Sequence, residues 1–309
     1  MINKRGLLVA AAAMMVPRAA FAAEMVRVPL GRNSDGAPTV DLVINEQGPF
    51  TFEVDVGSGV STIGRPLANR LNMKLIGDAL QPFIVYFNAR KLEGVRVNAV
   101  TATFGGTLTR HNVVFMRLPH GPDGTSTSNS SYEGMIGNSL FLAKPCILDL
   151  EANELRIYPD GNLPLDGFQA VAGKVSHSGV YTSAIMVAAR LGDLSLTPAL
   201  QTSGLDGIFL SSAFVKKHGL WDRFPDFTER PRAGLGIYRT AWVDGLSIGP
   251  FSFDRVRLTM GDPEIDDHSE DADCFVGLDI VSQFTIAFGA KSQLALKPNT
   301  SFTGRMVAV

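Results

Sequence analysis

Asp55 closes a hydrophobic run in which Phe50, Phe52 and Val54 alternate, and Val56-Gly57-Ser58-Gly59 follow at once. Alternation at period two marks a half-buried strand, so the carboxylate stands at the rim of a core, on a sharp turn. Gly57 lets backbone come close to whatever faces the turn, and the Ser58 hydroxyl can donate to the carboxylate. One such acid can hold or give up one proton. Attack of water on a carbonyl is helped most when an acid and a base act together. A second turn, Gln201-Thr202-Ser203-Gly204, lies 146 residues further on, after an extended run at 194–200. It begins on an amide. An amide donates and accepts hydrogen bonds but exchanges no proton near neutral pH.

The elements around the two turns repeat. After Asp55 come an extended run at 60–63 and a short helix starting near Pro66, a residue pre-set for a first helical turn. Strands are expected at 83–87, 95–104 and 112–118, with a turn at Gly105-Gly106. A Ser/Thr/Gly/Asn-rich loop at 120–131 leads to Met135-Ile136-Gly137, a helix-like stretch at 138–142, and a hairpin about Asn153. The second half keeps this order. Strands at 185–191 and 194–200 run into Gln201, then come a strand at 207–210 and a helix from Ser212 to His218 ended by Gly219. A hairpin at 245–260 mirrors the one at 101–116, an acidic loop spans 262–273, and Val276-Gly277-Leu278 matches Met135-Ile136-Gly137 at an offset of 140 residues from Gly137 to Gly277. A period this long in β-rich halves indicates duplicated lobes rather than a solenoid.

With these parts in place, the chain resembles a single-chain, two-lobed aspartic protease of the pepsin-like or retropepsin-like kind. The family's active-site loop reads hydrophobic-hydrophobic-Asp-Thr-Gly-Ser/Ala, and here Val56 replaces the Thr. The resemblance spans about residues 40–159 and 185–298. It implies an all-β fold of two homologous barrel-like lobes, of the six-stranded type, with a cleft between them. It also implies a segmentation into 1–22, 23–159 (first lobe), 160–184 (inter-lobe connection) and 185–309 (second lobe). Asp55 and Gln201 take the two catalytic positions, Gln201 replacing the second Asp. Gly57, Ser58, Thr202, Gly137 and Gly277 support them, and Tyr86 and Tyr238 are the flap aromatics that would face a substrate. In the family each Thr exchanges hydrogen bonds across the lobes; Thr202 is present, but Val56 has no hydroxyl, and Ser203 stands where the family has Gly.

The resemblance therefore implies an aspartic-type endopeptidase-like protein whose mechanism lacks a part. Two carboxylates that share a proton divide the acid and base roles because they cannot both ionise at close range. Asp55 has no such partner in the motif. Three readings stay open: an impaired endopeptidase, an active one that pairs Asp55 with a non-standard group, and a pseudoprotease that binds a peptide or protein segment without cutting. Asp206, the nearest acid to Gln201, reads more simply as a turn residue before Gly207.

Composition narrows the field. A net charge of −2 over 309 residues offers no basic footprint for nucleic acid. Lys4-Arg5, an apolar run at 6–16 and Ala20-Phe21-Ala22 have the form of a cleavable secretory signal, so a periplasmic or secreted protein is expected, off the membrane after cleavage and monomeric. Cys146 and Cys274 fall in different lobes and read as separate buried thiols, and no Cys/His spacing suggests a metal site. The acidic loop lacks a calcium-loop register, and the five histidines are scattered over loops and element ends. No cofactor is expected. Trp221 and Trp242 read as core or lobe-interface residues.

Overall fold

The computed structural model describes residues 24–77, 83–87, 90–119, 132–140, 143–178, 182–204, 206–224, 226–231, 236–264, 274–289 and 293–307. The signal-like segment, the 120–131 loop and most of the acidic loop lie outside them.

The alternation that marks the Asp55 strand has a direct structural outcome. Strand Gln47–Asp55 buries Phe52 and Val54 on one face, and Phe52 packs at 5.8 Å from the Phe115 ring. Thr51, Glu53 and Asp55 alternate onto the other face. The strand lies in a nine-stranded sheet between Pro38–Ile44 and Gly134–Gly137. Gly134–Gly137 runs parallel to it, with Gly137 opposite Asp55, and antiparallel to Thr62–Gly64 on its other side. This threading of one strand between the two arms of the Asp55 turn requires Gly137. A Cβ there would lie 2.5 Å from the Val60 carbonyl oxygen and 2.6 Å from that of Ser58.

The second half repeats the pattern inside an eleven-stranded sheet. Cys274–Val276 runs parallel to Ala199–Leu200 and antiparallel to Ile208–Leu210. Thr62–Gly64 and Ile208–Leu210 in turn each pair parallel with the second strand of a long hairpin, Leu108–Leu118 and Phe251–Met260 respectively. The expected helices form at Arg65–Arg70, with proline in its first turn, and at Ser212–His218. The second is capped at its start by the Ser211 hydroxyl, which accepts from Phe214 N–H, and stopped by Gly219 in a left-handed conformation at φ 60°. The helix-like stretch after Gly137 is only a short 3₁₀ turn, Asn138–Leu140, with 141–142 outside the described residues.

In the first lobe six strands close into a ring, because Pro38–Ile44 pairs with Arg90–Phe104 as well as with Gln47–Asp55. A separate six-stranded sheet is built from both halves of the chain in the order Val26–Pro29, Glu154–Ile157, Cys146–Asp149, Phe284–Phe288, Leu294–Pro298, Gln169–Val171. At its centre Cys146–Asp149 and Phe284–Phe288 pair antiparallel, from Cys146 opposite Phe288 to Asp149 opposite Thr285. The sheet is thus two similar three-stranded halves joined at a seam. Gln169–Val171 takes the place in its half that Val26–Pro29 takes in the other. Gly173–Ser178 then enters the eleven-stranded sheet, so the stretch at 160–184 carries strands as well as connecting the lobes.

Cys146 and Cys274 are buried and not joined by a disulfide. Trp221 packs against the core, but Trp242 is 61% exposed, under the Arg255 guanidinium. The expectation of a buried Trp242 fails because strand Ile237–Ile248 has a solvent face, on which position 242 falls between the buried Ala241 and Val243.

Candidate active site

The two turns meet. Asp55 is buried, at 3% exposure, and Oδ1 accepts hydrogen bonds from Gly57 N–H at 2.9 Å and from Thr202 N–H at 3.2 Å, the latter donor belonging to the second turn. The Ser203 hydroxyl donates to Oδ2 at 2.9 Å, and Gln201 Nε2 donates to Ser203 Oγ at 2.9 Å. A chain of donors therefore runs from the amide that replaces the second acid, through a hydroxyl, to the first acid. Burial raises the Asp55 pKa above the usual carboxylate range, opposed by the hydrogen bonds from Gly57, Ser203, Thr202 and the Gln201 side chain. Gly57 makes this approach possible: a Cβ there would lie 2.7 Å from the Leu200 carbonyl oxygen and 3.2 Å from Gln201 Cγ.

Thr202 ties the turns together from below. It is fully buried, its hydroxyl donates to the Val54 carbonyl at 2.6 Å and accepts from Val56 N–H at 3.1 Å. The reciprocal pair from the first lobe is missing because Val56, 1% exposed, carries only methyl groups. Behind the first turn, Asn138 is wholly buried and donates from its side-chain amide to the Val56 carbonyl at 2.9 Å and from its backbone to the Ser58 carbonyl at 2.7 Å. Gly137 N–H donates to Ser61 Oγ at 3.1 Å. In the second lobe Gln201 N–H donates to the Val276 carbonyl at 3.0 Å and Gly277 N–H to the Gly207 carbonyl at 2.8 Å.

Asp55, Gly57, Gln201, Thr202 and Gly137 thus come together in one place, with Gly277 bracing the second turn. Ser58 does not serve the carboxylate as expected. Its hydroxyl donates to the Val60 carbonyl at 3.0 Å, closing its own turn instead. Ser203, read from the sequence as an intrusion at a glycine position, fills that role from the opposite lobe. Asp206 is exposed and pairs with Arg257 at 3.2 Å, so it is no substitute acid. Tyr86 lies opposite Lys91 on strand Phe83–Phe87, its side chain outside the described residues. Tyr238 packs edge-on to Phe209 at 5.6 Å and lines a cavity of about 340 Å³ with Gly204, Asp206, Arg230 and Arg257, beside the second turn.

Two features escaped the sequence reading. Gln201 Oε1 is buried, and no described residue donates to it. Glu53, two residues before Asp55 on the same strand face, is 6% exposed, and its pKa is pushed up to about 7 by burial and by the neighbouring charges of Asp55 and Asp35. The signal was in the pattern: a strand whose even positions are Phe, Phe and Val carries an acid at 53 as well as at 55.

Residues 40–140 match the aspartyl protease family model. The whole fold is similar to the crystal structure of an aspartic proteinase from Irpex lacteus, at a TM-score of 0.52 and 14% identity over 91% of this chain and 99% of that one. It is also similar to conglutin gamma, a basic 7S globulin from lupine seeds, at a TM-score of 0.50 and 10% identity over 89% of this chain and 95% of that one. No curated protein matches the chain in sequence.

Proposed function

We propose that this chain, whose residues 40–140 match the aspartyl protease family model and whose fold is similar to that of an aspartic proteinase, binds an extended peptide or protein segment in its inter-lobe cleft without cutting it. The observation that carries the reading is the hydrogen-bond set of Asp55: each partner is a neutral donor, and the groups opposite it are an amide and a hydroxyl. Aspartic catalysis on a peptide bond needs one carboxyl to polarise the carbonyl and another to take a proton from water. Asp55 can fill one role at a time. Losing the proton-transfer partner costs on the order of 10² to 10⁴ in rate.

The binding half of the proposal rests on what remains. Extended segments dock by main-chain hydrogen bonds, with side-chain pockets adding selectivity. Gln201 as a whole is only partly buried where the two turns meet, which is the place such a segment would face. Residues 1–22 act as a cleaved secretory signal in this proposal, which places the working protein in the periplasm or outside the cell, as a monomer.

The test uses the chain from residue 23 onward, as wild type and as Asp55→Asn, Gln201→Asp and Gln201→Asp/Ser203→Gly variants. Cleavage of a mixed peptide library is followed at pH 3 to 7, and binding to the same library by fluorescence anisotropy. The expected result is binding without cleavage by wild type, with cleavage gained when the second acid is supplied and the Ser203 hydroxyl removed. Wild-type cleavage that Asp55→Asn abolishes overturns the non-cutting half, and absence of binding overturns the other.

A further inference from the structure

We propose that the cavity beside the second turn is a specificity pocket for a carboxylate side chain, glutamate or aspartate, of the segment bound in the cleft. The inference deepens the proposed binding function and rests on it.

Sheet register builds the pocket. Directly opposed residues of neighbouring strands point to one side of a sheet, as do alternate residues of one strand. Strand Phe227–Pro231 sets Arg230 opposite Tyr238 of Ile237–Ile248. Two residues on, Thr240 lies opposite Thr259 of Phe251–Met260, their hydroxyls 3.4 Å apart, and Trp242 lies opposite Arg257. Thr259 in turn pairs with Phe209. Arg230, Tyr238, Thr240, Thr259, Arg257 and Phe209 therefore share one face, and together they wall the cavity of about 340 Å³.

The same cavity touches the site. Gly204, the last residue of the second turn, lines it, one residue along the chain from Ser203, whose hydroxyl bonds Asp55. Gly207 closes the join. It sits at φ 71°, and a Cβ there would lie 1.9 Å from the Arg257 carbonyl oxygen, so only glycine lets the chain leaving the turn lie against the Arg257 strand. An extended segment crossing the two turns sets alternate side chains about 6 to 7 Å apart, which brings a side chain near the crossing within reach of the pocket.

Charge decides the occupant. The lining carries two guanidiniums, Arg230 and Arg257, against one carboxylate, Asp206. Arg257 Nη1 donates to Asp206 at 3.2 Å, and no described group accepts from the rest of its fork or from the Arg230 guanidinium. Arg239 gives the contrast. On the opposite face of Ile237–Ile248, its donors are taken by Glu229, Asp222 and the Trp221 carbonyl. A guanidinium only donates, and its planar fork matches a carboxylate. One incoming carboxylate balances the single positive charge left in the lining. Asp206 is exposed, and such a pair holds its partners weakly, so Arg257 can turn to a carboxylate sheltered in the pocket. Phe209 and Tyr238, edge-on at 5.6 Å, supply an apolar wall for the methylenes of its stem.

The test scans glutamate, and separately glutamine, through each position of an acetylated and amidated alanine-rich nonapeptide, so that no terminal carboxylate competes. Affinity is measured by anisotropy at pH 7 for wild type, Arg230→Gln/Arg257→Gln and Asp206→Asn. One position is expected to prefer glutamate by about tenfold in wild type, more in Asp206→Asn, and by no more than about twofold in the double variant, with affinity for the glutamine peptides unchanged throughout. Equal affinity for glutamate and glutamine at every position, or a glutamate preference that survives in the double variant, overturns the inference while leaving cleft binding standing. If no peptide binds, the cleft reading itself has failed. Titration of the wild type with butyrate, read on the Nε–H resonances of Arg230 and Arg257, then decides the inference alone: a saturable shift at both, absent with butyramide, supports it, and no shift overturns it.

Discussion

Replacing Thr202 by valine removes one oxygen atom and almost no volume, yet it strikes both lobes at once. The hydroxyl now donates to the Val54 carbonyl at 2.6 Å and accepts from Val56 N–H at 3.1 Å, across a fully buried contact. Valine leaves both backbone groups without a partner and without access to water. Each such loss costs about 1 to 3 kcal/mol, so the two together should destabilise the protein by about 2 to 6 kcal/mol. Thr202→Ser keeps the oxygen and should recover all but about 1 kcal/mol, the cost of one buried methyl. Urea unfolding followed by tryptophan fluorescence measures both. With a slope of roughly 1 to 3 kcal/mol per molar, Thr202→Val should lower the midpoint by about 1 M or more, and Thr202→Ser by a few tenths. A shift for Thr202→Val no larger than that for Thr202→Ser would refute the argument, since the hydroxyl would then hold nothing that a methyl does not.

Two further predictions concern the first lobe. Glu53 has a folded pKa of about 7 against an ordinary value of 4.5, so between those pH values the native state keeps a proton that the unfolded chain has released. Stability therefore falls as pH rises through this window, and the loss attributable to Glu53 is on the order of 3 kcal/mol by pH 8. Glu53→Gln should be more stable relative to wild type at pH 8 than at pH 4 by that order; an unchanged difference between the two pH values would contradict the assignment. Gly137→Ala puts a Cβ within 2.6 Å of two backbone oxygens, at Val60 and Ser58, which cannot move without opening the Asp55 turn. A loss of about 3 kcal/mol is expected in thermal unfolding, and a variant as stable as wild type would show that the strand does not thread the turn as described.

The duplicated architecture was legible because both halves carry local punctuation: a strand ending in a turn, a proline- or serine-started helix, and a hydrophobic-hydrophobic-Gly element. Those signals are short-range, and the structure places them in matching pairings. The six-stranded sheet was not legible. It depends on Cys146–Asp149 finding Phe284–Phe288, a pairing between distant segments that no local pattern encodes. The site divided the same way. Asp55, Gly57, Gln201, Thr202 and Gly137 were readable from type and position. The reach of Ser203 across the lobes depends on a side-chain rotamer at an interface, and the sequence offered Ser58, which is closer in the chain, instead. Glu53 was not legible because the alternation of Phe50, Phe52 and Val54 marks the core face of the strand and does not encode how deeply the opposite face is covered.

The seam of the six-stranded sheet sets a condition on how this molecule can be divided. Backbone hydrogen bonds between Cys146–Asp149 and Phe284–Phe288 are the stitching between the halves. Cutting the gene between the lobes would leave each product with a bare, apolar strand edge, Cys146, Ile147 and Leu148 on one and Ile286, Ala287 and Phe288 on the other. Such edges recruit another chain. Each three-stranded half has the same layout, so the edge of one first lobe is geometrically suited to meet that of a second copy. Separate halves would therefore be sticky, and covalent linkage keeps that adhesive surface spent within one chain.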